Sequence, residues 1–466
     1  MKKISMVLWT VAVLLIASPL MLSAGGGQQS GSSSTGGAGK VDVIRVWSDN
    51  AHERVLRDQQ IAKFNEGRGK ELGIKIEYTV YGTGWSETQK TAAQAGDAPE
   101  LYRPNINDGM QSFIDAGYLI PIEDLPGGAE YLKQWPGLVL NQHTFKKAGT
   151  SEVKTYTLPY NLTTNKFIIN RDLFNKNGIK DPPKTWAEVR EYAKIITKNG
   201  GGKEYGFIYG QKQNWIWNVY GSYQAIQSIG HWGFDNKNLT FNFSAIAPVV
   251  EAYLGMAQDG SILPGFQGMD ADQMRAQFSE GIIGMIPAAS FDTGVYNTQF
   301  PAKCNWEVHP IPVVPGSPKL KEFAVATTLL GVGESAKKTD MSKVLEVLKF
   351  FYADENAAEM YEQALYIPYR QEAIKLAKTQ PAAKGFAEFA NVPQLLTILP
   401  DPSTIIPYEG DGREATIFGI IGGTDRRSVQ VALKDLDDRM NKALATLPKA
   451  TLEEYRQPAT YDINAK

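Results

Sequence analysis

Cysteine is nearly absent from this 466-residue chain, where Cys304 stands alone. No intrachain disulfide can form, and no cysteine-rich metal cluster can be built. Histidine is scarce as well, at four residues. His52, His143, His231 and His309 lie far apart, and none falls in the H-E-x-x-H spacing that sets two imidazoles on one helix face around zinc. No serine occupies a G-x-S-x-G elbow. No G-x-x-x-x-G-K-[ST] loop is present to cradle nucleotide phosphates. An excess of either charge is missing too: 48 basic residues stand against 50 acidic ones, a net charge of −2. That balance offers no footprint for a phosphate backbone, so nucleic acid is not an expected partner. No basic run points to anionic lipid, and no pattern calls for a metal or other cofactor.

Long apolar runs are confined to the start of the chain. Lys2 and Lys3 open it, Met6 to Ile16 is apolar except for Thr10, and Ser23 and Ala24 offer a small-residue cut before Gly25. Residues 1–24 therefore read as a signal peptide, with a retained anchor as the alternative. Gly25 stands where a lipoprotein would carry its Cys, so a lipid anchor by that route is not expected. Residues 25–40 are rich in Gly and Ser and read as a flexible linker that cannot bury a core. The folded part is expected outside the inner membrane, in a periplasm or at a cell surface.

What remains has an ordinary globular composition, 43% hydrophobic and 21% charged, with nine Trp, 21 Tyr and 19 Phe. Its length suits two lobes. Val41–Trp47 predicts a strand buried on both faces. His52–Asn65 predicts a helix with Val55, Ile61, Ala62 and Phe64 inward. Ile74–Val80 alternates as a second strand, so the start reads as a βαβ unit with a parallel sheet. Thr155–Leu158 and Lys166–Asn170 predict two further strands. Thr185 and Glu188 form a capping box opening a helix striped by Val189, Tyr192, Ala193 and Ile196. The chain reads as α/β.

One stretch is more specific. Leu158-Pro159-Tyr160, Ile169-Asn170, Leu173-Phe174, Gly178 and Pro183-Lys184-Thr185-Trp186 follow one another at set intervals. Val43–Asn50, Gly96–Glu100, Gly117–Ile122, Phe278–Ile286, Ile311-Pro312 and Ile367-Pro368 extend the pattern. In order and spacing this resembles the family 1 extracellular solute-binding proteins, the maltose- and multiple-sugar-binding components of bacterial ABC importers, over about residues 41 to 450. The resemblance implies a maltose-binding-protein-like fold of two α/β lobes joined by several hinge strands. The crossings would fall near Tyr160–Thr163, Ala326–Leu329 and Ile367–Arg370. Lobe one would be residues 41–160 plus 328–366, and lobe two 161–327 plus 367–466. It also implies a monomeric receptor that hands a small solute to transmembrane permease subunits. One departure is notable: Ala289-Ser290-Phe291 replaces the family's Gly-x-Trp, whose Trp stacks on sugar.

A sugar presents an apolar ring face and a rim of hydroxyls, which call for aromatic planes and planar polar groups. In α/β sheets such groups collect beyond the carboxyl ends of strands. That rule selects Trp47, Ser48 and Asp49 after the first strand, Trp85 after the second, and Arg103 and Asn105 after the third. It also selects Tyr160 and Asn161 at the first crossing, Trp215 and Trp217, then Ser290, Phe291 and Asp292, and Arg370 at the last crossing. A neutral sugar ranks first. A sugar acid held by Arg103 or Arg370 is the alternative, and other solutes follow. A glycosidase would need two facing carboxylates, and no pair declares itself in the sequence.

Overall fold

The computed structural model of the protein describes residues 41–81, 84–104, 110–392 and 395–465. The leader and linker read at residues 1–40, and the candidate Asn105, lie outside them.

Among the described residues, eleven strands join in one sheet. In chain order they are β1 (Asp42–Ser48), β2 (Ile74–Val80), β3 (Leu101–Tyr102), β4 (Leu119–Ile120), β5 (Thr157–Asn170), β6 (Tyr205–Phe207), β7 (Ile283–Ala289), β8 (Trp306–His309), β9 (Glu322–Gly333), β10 (Ile367–Pro368) and β11 (Leu395–Thr397). The main path runs β2-β1-β3-β9-β5-β7-β6. β1 pairs in parallel with β2 and β3, as a βαβ start requires. β9 pairs antiparallel with β5, and β10 pairs antiparallel with β5 at Leu162 and Asn161. The expected strand Lys166–Asn170 and the Thr157–Leu158 end of the one expected at Thr155–Leu158 are parts of one 14-residue strand, while Thr155 closes a separate short strand, Val153–Thr155. The polar middle of β5 stays extended because β9 and β10 take its backbone groups.

Two large apolar cores are built on this sheet. One gathers Ile44, Val46, Ile61, Phe64, Leu158, Leu330, Val344 and Leu348. The other gathers Leu162, Phe167, Trp186, Val189, Trp217, Tyr253, Met285 and Leu436. β5 gives Leu158 and Tyr160 to the first and Leu162, Phe167 and Ile169 to the second. β9 does the reverse, with Ala324 and Ala326 in the second core and Leu329 and Val332 in the first.

Helices cover the sheet. In α1 (Arg54–Glu66) the buried face is Arg57, Gln60, Ile61 and Phe64. Val55 is exposed, as is Ala62, contrary to the apolar stripe expected there. The helix turns instead to bury Arg57, whose charge is met by Glu53 and Tyr160. β1 likewise departs from the strand expected to be buried on both faces. Ile44 and Val46 are buried, but Val43 is exposed, and Arg45 on that same face is held by Glu100 and Asp97. α2 (Trp85–Gln94) follows β2. α3 (Trp186–Gly200) opens with the capping box of Thr185 and Glu188 in place, and buries Trp186, Val189, Ala193 and Ile196. Its neighbour β6 approaches so closely that a Cβ on Gly206 would lie 2.1 Å from the Ala193 Cα, so only glycine fits. α4 (Ala271–Ser279) carries a second capping box, from Asp270 and Gln273. The Asp340 carboxylate accepts from the Ser342 N–H at the start of α5 (Met341–Phe351).

His143 makes acid stability testable. Its ring is buried, Nδ1 accepts from the Val139 N–H at 3.4 Å, and burial lowers its pKa to about 4. An unfolded histidine titrates near 6.5, so between pH 6.5 and 4 the unfolded chain binds more protons. The contribution is whole above pH 6.5 and is lost as pH falls toward 4. Urea denaturation at pH 7 and pH 5 should show His143 alone removing about 2 kcal/mol. His143→Gln should show a correspondingly shallower loss, and an equally steep one would remove His143 as the cause.

Candidate functional site

A cavity of about 620 Å³ opens where the two cores meet the linking strands. Asn50, His52 and Arg103 come to it from the side of the first core. Arg275, Ser290, Phe291, Thr298 and Gln299 come from the side of the second. Asn161–Thr163 of β5, Thr327 of β9 and Ala364–Tyr366 before β10 form its floor.

The strands set these positions. Arg103 follows β3, and its backbone N–H donates to the Trp47 carbonyl, which fixes the loop against β1. Its Nη1 donates to Asp49 Oδ1 and to Asn50 Oδ1, both at 2.7 Å. The Asn50 Nδ2 lies 3.4 Å from Glu53 Oε1, so this wall is backed by the buried Glu53. Burial works against the charge of Arg57, but Tyr160 and Glu53 outweigh it and hold the guanidinium above its ordinary range. At the floor, the Thr327 hydroxyl donates to Asn161 Oδ1. That bond spans β9 and β5 where their register shifts between Thr327 and Thr328.

The opposite wall centres on Arg275, on α4. Its guanidinium lies between two rings, 5.6 Å from that of Trp215 and 5.4 Å from that of Phe291. Nε donates to Asp292 Oδ1 at 2.9 Å, Nη2 to the Tyr220 hydroxyl at 2.9 Å and Nη1 to Asp272 Oδ1 at 3.1 Å. Asp292 is fully buried and also accepts from Tyr220 and from the Ala289 N–H. Burial pushes its carboxyl upward, against Arg275 and that N–H. Burial likewise opposes the charge of Arg275, yet Asp292 keeps its pKa above the usual guanidinium value. Trp215 and Phe291 stay 37% and 38% exposed, which leaves ring area for a guest.

Of the residues selected from sequence, Arg103, Asn161, Ser290 and Phe291 line this cavity. Asp49, Trp215 and Asp292 touch lining side chains without lining it themselves. The others lie elsewhere. Trp217, with no exposed surface, packs on Tyr209 and Tyr253 in the second core. Tyr160 is buried, and its hydroxyl donates to Glu53 at 2.9 Å. Trp47 and Trp85 pack on either side of Tyr81 at 4.9 and 5.5 Å. Buried Ser48 accepts from the Asn50 N–H. Arg370 pairs with Asp354 at 3.0 Å and stacks on Trp135, outside the cavity. Arg275 was not selected, although its signal was present. Ala271, Met274, Arg275 and Phe278 occupy the inward positions of α4, so a charge stands where the stripe calls for an apolar residue.

The sequence profile described as bacterial extracellular solute-binding protein matches residues 56–358. A binding protein of Brucella abortus is 28% identical over 235 residues, which are 50% of this chain and 55% of that protein. The chain spans about half the length of the curated relatives it matches. Among solved structures, the GacH receptor of Streptomyces glaucescens, crystallised unliganded and with acarbose, superposes with a TM-score of 0.63 at 18% identity, over 87% of this chain and 99% of that one. UgpB of Mycobacterium tuberculosis in complex with glycerophosphocholine gives 0.64 at 18% identity, over 88% and 99%. These likenesses establish the two-lobed fold of the maltose-binding-protein type. By its profile match, the chain belongs to the bacterial extracellular solute-binding protein family.

Proposed function

We propose that the chain is an exported receptor of an ATP-driven importer, which takes a carbohydrate into this cavity, closes on it and presents the closed form to transmembrane permease subunits. One observation carries the reading: the cavity's walls belong to two separate apolar cores, and its floor is made of the strands that join them. A solute touching both walls favours the closed arrangement by the contacts it makes only there. The lobes are residues 41–160 plus 328–366 and residues 161–327 plus 367–466. The distribution of the two cores along the sequence supports that division. The acarbose-bound GacH structure supports a carbohydrate as the solute class.

The receptor binds without converting its guest. That reading rests on the matching family, which is one of solute-binding proteins. Export rests on the leader read at residues 1–24 and on the family's extracellular character. Among the described residues, no helix is long and apolar enough to cross a membrane. The receptor acts as a monomer.

Two measurements test this. Small-angle scattering on the full chain should show a smaller radius of gyration when a binding carbohydrate saturates it, and an unchanged profile would rule out closure. Phe291→Ala should weaken carbohydrate binding about tenfold with little change in the melting temperature of the unliganded protein. Trp217→Ala should instead destabilise the unliganded fold by about 3–5 kcal/mol. A Phe291→Ala protein that binds like the parent would remove the ring from the site.

A further inference from the structure

The cavity's hydrogen-bonding groups are unbalanced toward donors. Two guanidiniums line it, Arg103 on one wall and Arg275 on the other, and no carboxylate among the described residues does. The carboxylates bonded to the two arginines, Asp49, Asp272 and Asp292, do not line the cavity; they set the orientation of the guanidiniums.

A guanidinium has five N–H donors. Arg103 commits Nη1 to Asp49 and Asn50, and its Nε and Nη2 have no partner among the described residues. Those two nitrogens form one edge of the planar group, the edge that meets two oxygens of a carboxylate or phosphate at once. Arg275 commits Nε and one donor on each terminal nitrogen, which leaves one N–H on each. The rings of Trp215 and Phe291 lie 5.6 and 5.4 Å from its guanidinium carbon and restrict its movement. A neutral sugar hydroxyl both donates and accepts, and it would find charged donors here but no charged acceptor. A group that only accepts matches the walls better.

We propose that the solute carries an oxyanion, a carboxylate or a phosphate ester, gripped between Arg103 of one lobe and Arg275 of the other. This rests on the receptor reading above and narrows it to acidic carbohydrates and polyol phosphates. The sequence alone pointed to Arg103 or Arg370 for an acid; Arg275 takes the place of Arg370, which is bound to Asp354 elsewhere.

The test is titration calorimetry on the full chain, with D-glucuronate, sn-glycerol 3-phosphate and D-glucose 6-phosphate as acidic probes and D-glucose, glycerol and maltotriose as neutral ones. At least one acidic probe should bind, more weakly as salt rises, and its neutral counterpart should not. A response to glucuronate alone assigns a carboxylate, and a response to the phosphates alone assigns a phosphate ester. Arg103→Gln and Arg275→Lys should each weaken that binding by about ten- to a hundredfold. Lysine keeps a positive charge beside the buried Asp292, and melting of the unliganded variants checks that both fold. Binding of neutral probes without acidic ones would overturn the oxyanion and leave the receptor reading intact. Binding of acidic probes that neither arginine variant alters would overturn the clamp. If neither class binds, both readings fall.

Discussion

The fold depends on two antiparallel strands that serve two cores at once. A strand buried in a single core can alternate or run apolar along its length. β5 and β9 instead leave one core and enter the other, and each has a short stretch between that belongs to neither. Asn161 occupies that point in β5, between Tyr160 of the first core and Leu162 of the second, and Thr327 and Thr328 occupy it in β9; Asn161 and Thr327 line the cavity. The pairing of the two strands shifts register there, between Thr327 and Thr328 and again before Gly331. Polar side chains with irregular pairing at this point have a physical cause: the backbone passes through a region no core can cover. The cavity floor is the consequence of linking two cores with continuous strands.

A buried ion network ties the first core to that floor. Arg57 and Glu53 have no exposed surface, and Tyr160 of β5 bonds to both. Isolating such a pair from water gains little net stability, whereas deleting one partner typically costs about 3–5 kcal/mol. What the network provides here is placement. Glu53 faces Asn50, Asn50 accepts from Arg103, and Tyr160 precedes Asn161 in the same strand. The wall and the floor are thus referenced to the same buried charge. The second core uses a parallel device, with Asp292, Tyr220 and Arg275 held together behind the rings of Trp215 and Phe291.

Much of the architecture was legible because it is written in local chemistry. The box of Thr185 and Glu188 and the alternation of Ile74 and Ile76 in β2 each act over a few residues. The continuity of β5 was not legible, because its middle is held by partners more than 160 residues away. In the site, Arg103, Ser290 and Phe291 could be found because the ends of strands are marked in sequence, and Asn161 because the family resemblance puts a crossing at Tyr160–Thr163. Selecting both Trp215 and Trp217 conflicted with helical geometry. Residues two apart on a helix point in nearly opposite directions, so one tryptophan faces out and the other fills the core. Arg275 was overlooked because its role depends on Asp292, which only the β7 turn brings beneath it.

The division of the two guanidiniums between the cores bears on how binding and closure are coupled. A ligand shifts a conformational equilibrium only through the difference in its affinity for the two states. A hydroxyl rim gripped on one wall is gripped equally well in either state and shifts nothing. An oxyanion that meets Arg103 first still has lone pairs for Arg275, and it meets them only when the walls approach. The interaction also strengthens as water leaves, since charge-assisted hydrogen bonds gain in a less polar surrounding. Each guanidinium has its own carboxylate partner, which offsets repulsion between the two arginines. Recognition of the charge and closure of the cleft then become a single event, and the geometry of the two arginines sets its selectivity.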